Sequence, residues 1–287
     1  MKHWKNIKKS VSCLLFALPL VAGGAAHAEF TRVSLTNEIP QQRKVDLKYD
    51  VYAGGFKALN ATLAMDVDAK AYDMALKAET EGFIGDMFPW KASYTTSGHA
   101  DKNGTPVPVQ HLAKSSWKKS TKVTEMDYDP NGTLLKTTTQ EGSKTTVNRD
   151  IDPAMSDDTV DMLTGTLMML QNAKNTQKCE GTFPVFDGKR RFNITMQDDG
   201  TDTILKNKYS SFDGEAIRCT LKIEPVAGFK KKDQKRGWLA VQNHTEERKK
   251  PPTLWLAKID GTGPMVPVKM EIASAYGAVV AHLTGTK

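Results

Sequence analysis

Apolar and polar residues alternate along most of this chain, and a period of two dictates half-buried β-strands rather than helices. Leu59, Ala61, Leu63, Met65 and Val67 share one face of one segment. Tyr72, Met74, Leu76 and Ala78 share a face of the next, with Asp68-Ala69-Lys70-Ala71 as the turn between them. Further strands are read at residues 107–117, 121–128, 133–140, 182–186, 190–196, 203–209, 216–224 and 266–274. Turn chemistry separates several of them, as at Lys102-Asn103-Gly104, Pro130-Asn131-Gly132, Glu141-Gly142 and Phe186-Asp187-Gly188. Arms of about 12 residues reach roughly 40 Å when extended, and strands that long must twist and coil. The fold class that follows is mainly β: an antiparallel, strongly curved sheet forming an open half-barrel or partly closed barrel. One segment breaks the pattern. Residues 157–172 place Val160, Leu163, Leu167 and Leu170 at helical spacing, with Ser156 offering a cap, and predict one short helix packed on the sheet. Its methionines, Met162, Met168 and Met169, are read as core filler.

The first residues set an expected compartment. Lys2, Lys5, Lys8 and Lys9 precede an apolar run from Val11 to Val21 and small residues ending Ala26-His27-Ala28. This is the layout of a secretory signal peptide over residues 1–28, cut before Glu29. The run is well short of the roughly 20 residues of a membrane span. Cys13 lies at its start, where no lipoprotein cysteine would be. Cleavage removes four lysines and no acid, so the formal charge falls from +7 to +3. The rest divides into a loose leader, 29–44, and a single β-rich domain, 45–287, carrying a basic insertion at about 229–252. That insertion is either a patch for anionic headgroups or a solvated hairpin tip. Cys179 and Cys219 outlast cleavage. In an oxidising, periplasmic setting they are read as a disulfide tying the strand after the helix to one three arms later; two separate buried thiols are the alternative.

The stretch Glu81 to Trp90, EGFIGDMFPW, crowds Phe83, Ile84, Met87, Phe88 and Trp90 into a segment broken by two glycines and a proline. Burial of such side chains stabilises by roughly 1.5–3 kcal/mol each, so they must cover something. Either they cap the open end of the curved sheet, or they line the mouth of an apolar cavity. Phe83, Ile84, Met87, Phe88, Trp90 and Tyr94 are the candidate ligand-binding residues. Gly82 and Gly85 permit a tight turn, and Trp90 is expected to begin the next strand.

Catalytic chemistry is hard to find. Asp127-Tyr128-Asp129-Pro130-Asn131-Gly132 matches the first half of a calcium loop, but Thr138 stands where the bidentate glutamate belongs. Asp260-Gly261-Thr262-Gly263 has the residues of an aspartic-protease loop in the wrong order. His99, His111, His244 and His282 lack the spacing and neighbouring cysteines of a zinc site. His99 and His111 flank one hairpin and are read as a surface pair. No Gly-x-Ser-x-Gly and no phosphate loop occurs. The expectation is no catalytic residue, no metal and no cofactor.

The run Tyr49 to Met65, YDVYAGGFKALNATLAM, resembles the opening strands of exported bacterial proteins grouped as domain of unknown function 3108. The likeness continues through GFIGDMFPWKASYTTSGHADKNG, the helix near Asp157, FPVFDGKRRFNI, GEAIRCTLKIEP and PVKMEIASAYGAVVAHLTG, covering roughly residues 45–284. It implies an exported antiparallel sheet wrapped into an open half-barrel, similar in shape to periplasmic lipoprotein carriers. It supplies no catalytic residues. The segment 229–252 departs from the family pattern and leaves the strand pairing after Pro225 open. The expected function is a periplasmic, non-enzymatic binding protein for an apolar or amphiphilic envelope molecule, a lipid or the acyl chain of a lipoprotein. The alternative is a structural or assembly protein meeting an envelope protein through the same surface. An enzyme acting on glycan would need paired carboxylates across a groove. Neither nucleic-acid binding nor an integral membrane protein after cleavage is expected.

Overall fold

The computed structural model describes residues 43–230, 250–261, 263–274 and 277–287. The expected signal peptide and nearly all of the expected leader lie outside the described residues, as does most of the basic insertion. Among the described residues fourteen strands form one antiparallel sheet. The first eight are β1 (Arg43–Ala53), β2 (Phe56–Val67), β3 (Ala71–Thr80), β4 (Trp90–Ala100), β5 (Pro106–Trp117), β6 (Ser120–Tyr128), β7 (Leu134–Glu141) and β8 (Lys144–Asn148). The second series is β9 (Gly181–Phe186), β10 (Arg191–Ile204), β11 (Gly214–Ala227), β12 (Thr253–Lys258), β13 (Met265–Ser274) and β14 (Gly277–Thr286). Every strand pairs with its sequence neighbour within each series, and β14 pairs with β1 to join the two. The sheet is open, with β8 and β9 as its edges.

Among the described residues three α-helices accompany it, α1 (Gly82–Met87), α2 (Pro153–Ser156) and α3 (Met162–Thr176). The expected helix at 157–172 is therefore shifted. Asp161, not Ser156, caps it, accepting from Leu163 N at 2.9 Å and Thr164 N at 3.1 Å. Val160, directly before the cap, stays out of the helix because it pairs with the outer edge of β9, donating to Pro184 O and accepting from Phe186 N. That one bridge covers part of an edge that would otherwise present unpaired backbone groups.

The core lies inside the curl of the sheet. Leu163, Leu167, Met168 and Leu170 of α3 are buried against Phe183, Val185, Leu256, Val266 and strand residues on the far side of the curl, such as Met65 and Met74. The buried Met168 and Met169 are core filler, as the sequence suggested. A smaller cluster of Met126, Tyr128 and Phe186 joins β6 to β9 across the opening. Cys179, just before β9, and Cys219, on β11, form a disulfide with Cα atoms 5.4 Å apart. The bridge thus reaches β11, two strands after β9, rather than three arms on.

Of the residues read as two strands, 191–196 and Thr203–Ile204 belong to one strand, β10, and residues 205–209 lie beyond its end. Asp198 to Thr201 form a bulge within β10 rather than a turn. Arg218 on β11 holds this kink, pairing with Asp199 at 2.9 Å and Asp202 at 3.2 Å. After Pro225 the pairing is simple: β11 runs antiparallel to β12, with Cys219 opposite Leu254.

Candidate functional site

Alternation and register place rows of side chains across the inner face of β3 to β7. Leu76 is opposite Tyr94, Tyr94 opposite Ala113, Ala113 opposite Thr124, and Thr124 opposite Thr139. Five strands so contribute one row, and this row floors an open cleft of about 550 Å³. Met162 and Leu163 of α3 line the cleft, as do Asp187 to Arg190 in the β9–β10 turn. Lys122, one step nearer the strand ends, is also part of the lining.

The β9–β10 turn is held tightly over β6. Asp187 Oδ1 accepts from Lys189 N at 3.0 Å and Arg190 N at 2.7 Å. Gly188 has φ +86°, and a Cβ there would fall 2.7 Å from Thr124 Cγ2. Only glycine fits that approach. Arg190 is fixed by Asp187, Nε to Oδ2 at 2.8 Å, and its guanidinium carbon lies 5.5 Å from the centre of the Phe229 ring.

The inner end of the cleft is a buried polar network. Thr96 and His111 are register partners on β4 and β5. His111 Nδ1 is 2.9 Å from Asp161 Oδ1, and Thr96 Oγ1 donates to the same oxygen at 2.7 Å. Thr164 Oγ1 donates to Asp161 Oδ2 at 2.5 Å and lies 2.7 Å from Tyr72 OH. Burial of Asp161 disfavours its charge, but the hydrogen bonds and charge of His111, with Thr164 and Thr96, more than offset that and lower its pKa. Thr96, having given its proton to Asp161, accepts from His111 Nδ1, 2.6 Å away. The proton therefore sits on Nδ1. Burial, with the Asp187 carboxylate adding to it, raises the Tyr94 phenol.

The opposite end of the cleft meets the segment singled out in the sequence. Trp90 begins β4 and faces its register partner Trp117 on β5. Its Nε1 donates to Ser115 Oγ at 3.2 Å. Phe88 lies 6.3 Å from Trp117, centre to centre. The turn after β5 is tied to the same place, Lys118 N donating to Pro89 O at 3.1 Å. Tyr94 is thus on the cleft floor and Trp90 belongs to the same inner face, two rows nearer its lip. Phe83, Ile84 and Met87 belong to α1 and Phe88 is its C-cap, beside the lip. The expectation that this segment caps the core is overturned. Phe83 is 74% exposed and Phe88 47% exposed, and no residue of α1 is buried. The helix has six residues, is attached chiefly to β2, and leaves its apolar side chains outside the core.

The pairing of His99 with His111 is also corrected. His99 is opposite Val107, whereas His111 is turned inward and buried. Of the network residues, His111 was read as half of a surface pair and Tyr72 only as part of a strand face, while Thr96, Asp161 and Thr164 were not singled out as site residues from sequence. The available signal was Asp161 itself, an N-cap residue directly before an apolar helical run. The Asp129 turn is a hairpin turn, its Oδ1 accepting from Asn131 N and Thr133 N at 2.8 Å each. Among the described residues, no group of three or more His, Cys, Asp or Glu is placed to hold a metal ion. Among them also, no helix is long and apolar enough to cross a membrane.

The chain belongs to the family described as "Protein of unknown function (DUF3108)", whose model matches residues 48–284. Among solved structures it is similar to a crystal structure titled a beta-barrel-like protein of domain of unknown function DUF1849 from Brucella abortus. That likeness has 10% identity and a TM-score of 0.45 over 87% of this chain and 99% of the other. No curated protein matches the chain.

Proposed function

We propose that this DUF3108 family member is a non-catalytic binding protein of the periplasm that holds an amphiphilic molecule of the cell envelope, a lipid or the acyl part of a lipoprotein. One observation carries the reading. The cleft floor of Leu76, Tyr94 and Ala113 with Met162 and Leu163 continues along one face to Trp90 and Trp117, with the exposed Phe88, Met87 and Phe83 beside it. An acyl chain laid in the cleft would cover the floor, and its outer part would meet the lip. Such burial stabilises by about 0.8 kcal/mol per methylene group. Export is supported by the layout of residues 1–28 and by the Cys179–Cys219 bridge, which suits an oxidising compartment.

Native mass spectrometry of protein exported in a bacterial host and purified without detergent tests the reading. Bound lipid in the wild type, and its loss from Ala113→Trp with the circular dichroism spectrum unchanged, is the expected result. A clean apo protein that takes up no added fatty acid would overturn lipid binding and shift the weight to an envelope protein partner on the same lip.

A further inference from the structure

We infer that the cleft contains a site for the anionic group of its ligand, a phosphate or carboxylate, formed by Lys122, Lys189 and Arg190 with His111 at the inner end. The inference rests on the amphiphile-binding reading and names the headgroup class of that same site. Three cations line one cleft whose floor is otherwise apolar or hydroxylic, and one acid, Asp187, lines it with them. They come from separate elements brought together by a close approach. Lys122 is two residues before Thr124 on β6, and Gly188, seated against Thr124, is followed directly by Lys189 and Arg190.

The local acids do not cancel this charge. Asp187 engages Nε and Nη2 of Arg190, holding the guanidinium in place. Glu141 pairs with Lys122 at 3.1 Å, but both side chains are about half exposed or more, so water screens the pair. Among the described residues, no ion pair engages the Lys189 ammonium. Asp161 lies behind His111, and its charge is taken up by its own hydrogen bonds.

His111 closes the inner end of the site. It is buried, lines the cleft, and has Nδ1 committed to Asp161 and Thr96. With the proton on Nδ1, Nε2 is an acceptor and offers an anion no hydrogen bond; what His111 supplies is an inner wall held in place by the Asp161 contact. The arrangement supplies a guanidinium and two ammonium groups to one oxyanion, while Thr124 and Thr139 add hydroxyls. The acyl part then runs toward Trp90 and Trp117.

Three probes of equal chain length separate the alternatives in titration calorimetry with the exported protein: dodecyl phosphate, laurate and dodecyl maltoside. The wild type should bind an anionic probe at least tenfold more tightly than the maltoside. Tighter binding of dodecyl phosphate assigns a phosphate headgroup, and tighter binding of laurate a carboxylate. Lys122→Gln, Lys189→Gln and Arg190→Gln should each weaken the anionic probe about tenfold, the loss of one charge-assisted hydrogen bond. They should leave the maltoside unchanged, and Lys70→Gln, at a remote turn, should alter neither. Equal affinity for all three probes, or anionic binding indifferent to the three substitutions, would overturn the anion site while leaving amphiphile binding intact. Binding of none of the probes would overturn both.

Discussion

His111 and Asp161 are 50 residues apart in the chain and lie side by side in the interior, Nδ1 to Oδ1 at 2.9 Å, with Asp161 fully buried. This contact pins the first turn of α3 to the middle of β5. A carboxylate with no exposure persists only because each oxygen is satisfied: Oδ1 by His111, Thr96 and two backbone N–H groups, Oδ2 by Thr164.

Removing that carboxylate should be costly. Asp161→Ala strips the α3 cap and leaves His111, Thr96 and Thr164 without their shared acceptor, so a loss of about 3–5 kcal/mol is expected. Urea denaturation followed by circular dichroism measures it. A change below about 1 kcal/mol would mean that the network adds little.

The same group predicts an acid dependence. The folded-state pKa of Asp161 is lowered, so the unfolded chain takes up the proton first and stability falls with falling pH. The contribution is fully present above the ordinary carboxylate value of about 3.9 and is lost as pH drops through the folded value. The urea midpoints of wild type and Asp161→Asn should therefore converge on acidification below about pH 4. A constant gap between them would contradict the assignment.

The Cys179–Cys219 bridge closes a separation of 40 residues that contains β9 and β10. In the chain-entropy model such a loop stabilises by about 4 kcal/mol. The double Ala variant should unfold at correspondingly lower denaturant yet remain folded, because α3 and both halves of the sheet keep a core of their own. Intact mass after alkylation without reductant should show no modified thiol in the exported protein.

Exposure separates α1 from the core energetically. Phe83→Ala should alter stability by less than about 0.5 kcal/mol, as at most surface positions. Leu163→Ala, which empties the centre of the curl, should cost about 2–5 kcal/mol. If Phe83→Ala lowered the melting temperature as much as Leu163→Ala does, α1 would have to be packed in solution.

Gly98 offers a test of inner-face crowding. Its register partner is Tyr72, and a Cβ at position 98 would fall 2.4 Å from both the Tyr72 ring and Val107 O. Gly98→Ala must displace Tyr72 from Thr164, so a loss of about 1–3 kcal/mol is expected, or more if the strand shifts. Gly142→Ala tests backbone strain alone, because its position has φ +60° and open space around it.

Much of the sheet was legible because one face is buried and the other is not. Leu63, Met65, Tyr72 and Met74 alternate cleanly, and the strands carrying them were found within about three residues. Strands without that contrast were missed. All five residues of β8 are exposed, so Lys144 to Asn148 show no alternation. In β12, Leu254 to Ala257 are all buried, which reads as an apolar run without a period. The Asp198-Asp199-Gly200 sequence has the composition of a turn, and only the long-range contacts of Arg218 explain why it is a bulge. The site was legible in part. Tyr94 and Trp90 share the cleft face by simple alternation, whereas His111 and Asp161 meet through the path of the chain between β8 and β9, which local pattern does not encode.

The seam between β6 and β9 has a mechanical consequence. Among the described residues these strands share no ladder hydrogen bonds, and Met126, Tyr128 and Phe186 join them by side-chain packing alone. A closed barrel fixes its girth by strand number and stagger. Here the girth is set by side-chain packing, at this seam and around α3 inside the curl, so the sheet behaves as a clasp whose gape follows the volume of the side chains it closes on.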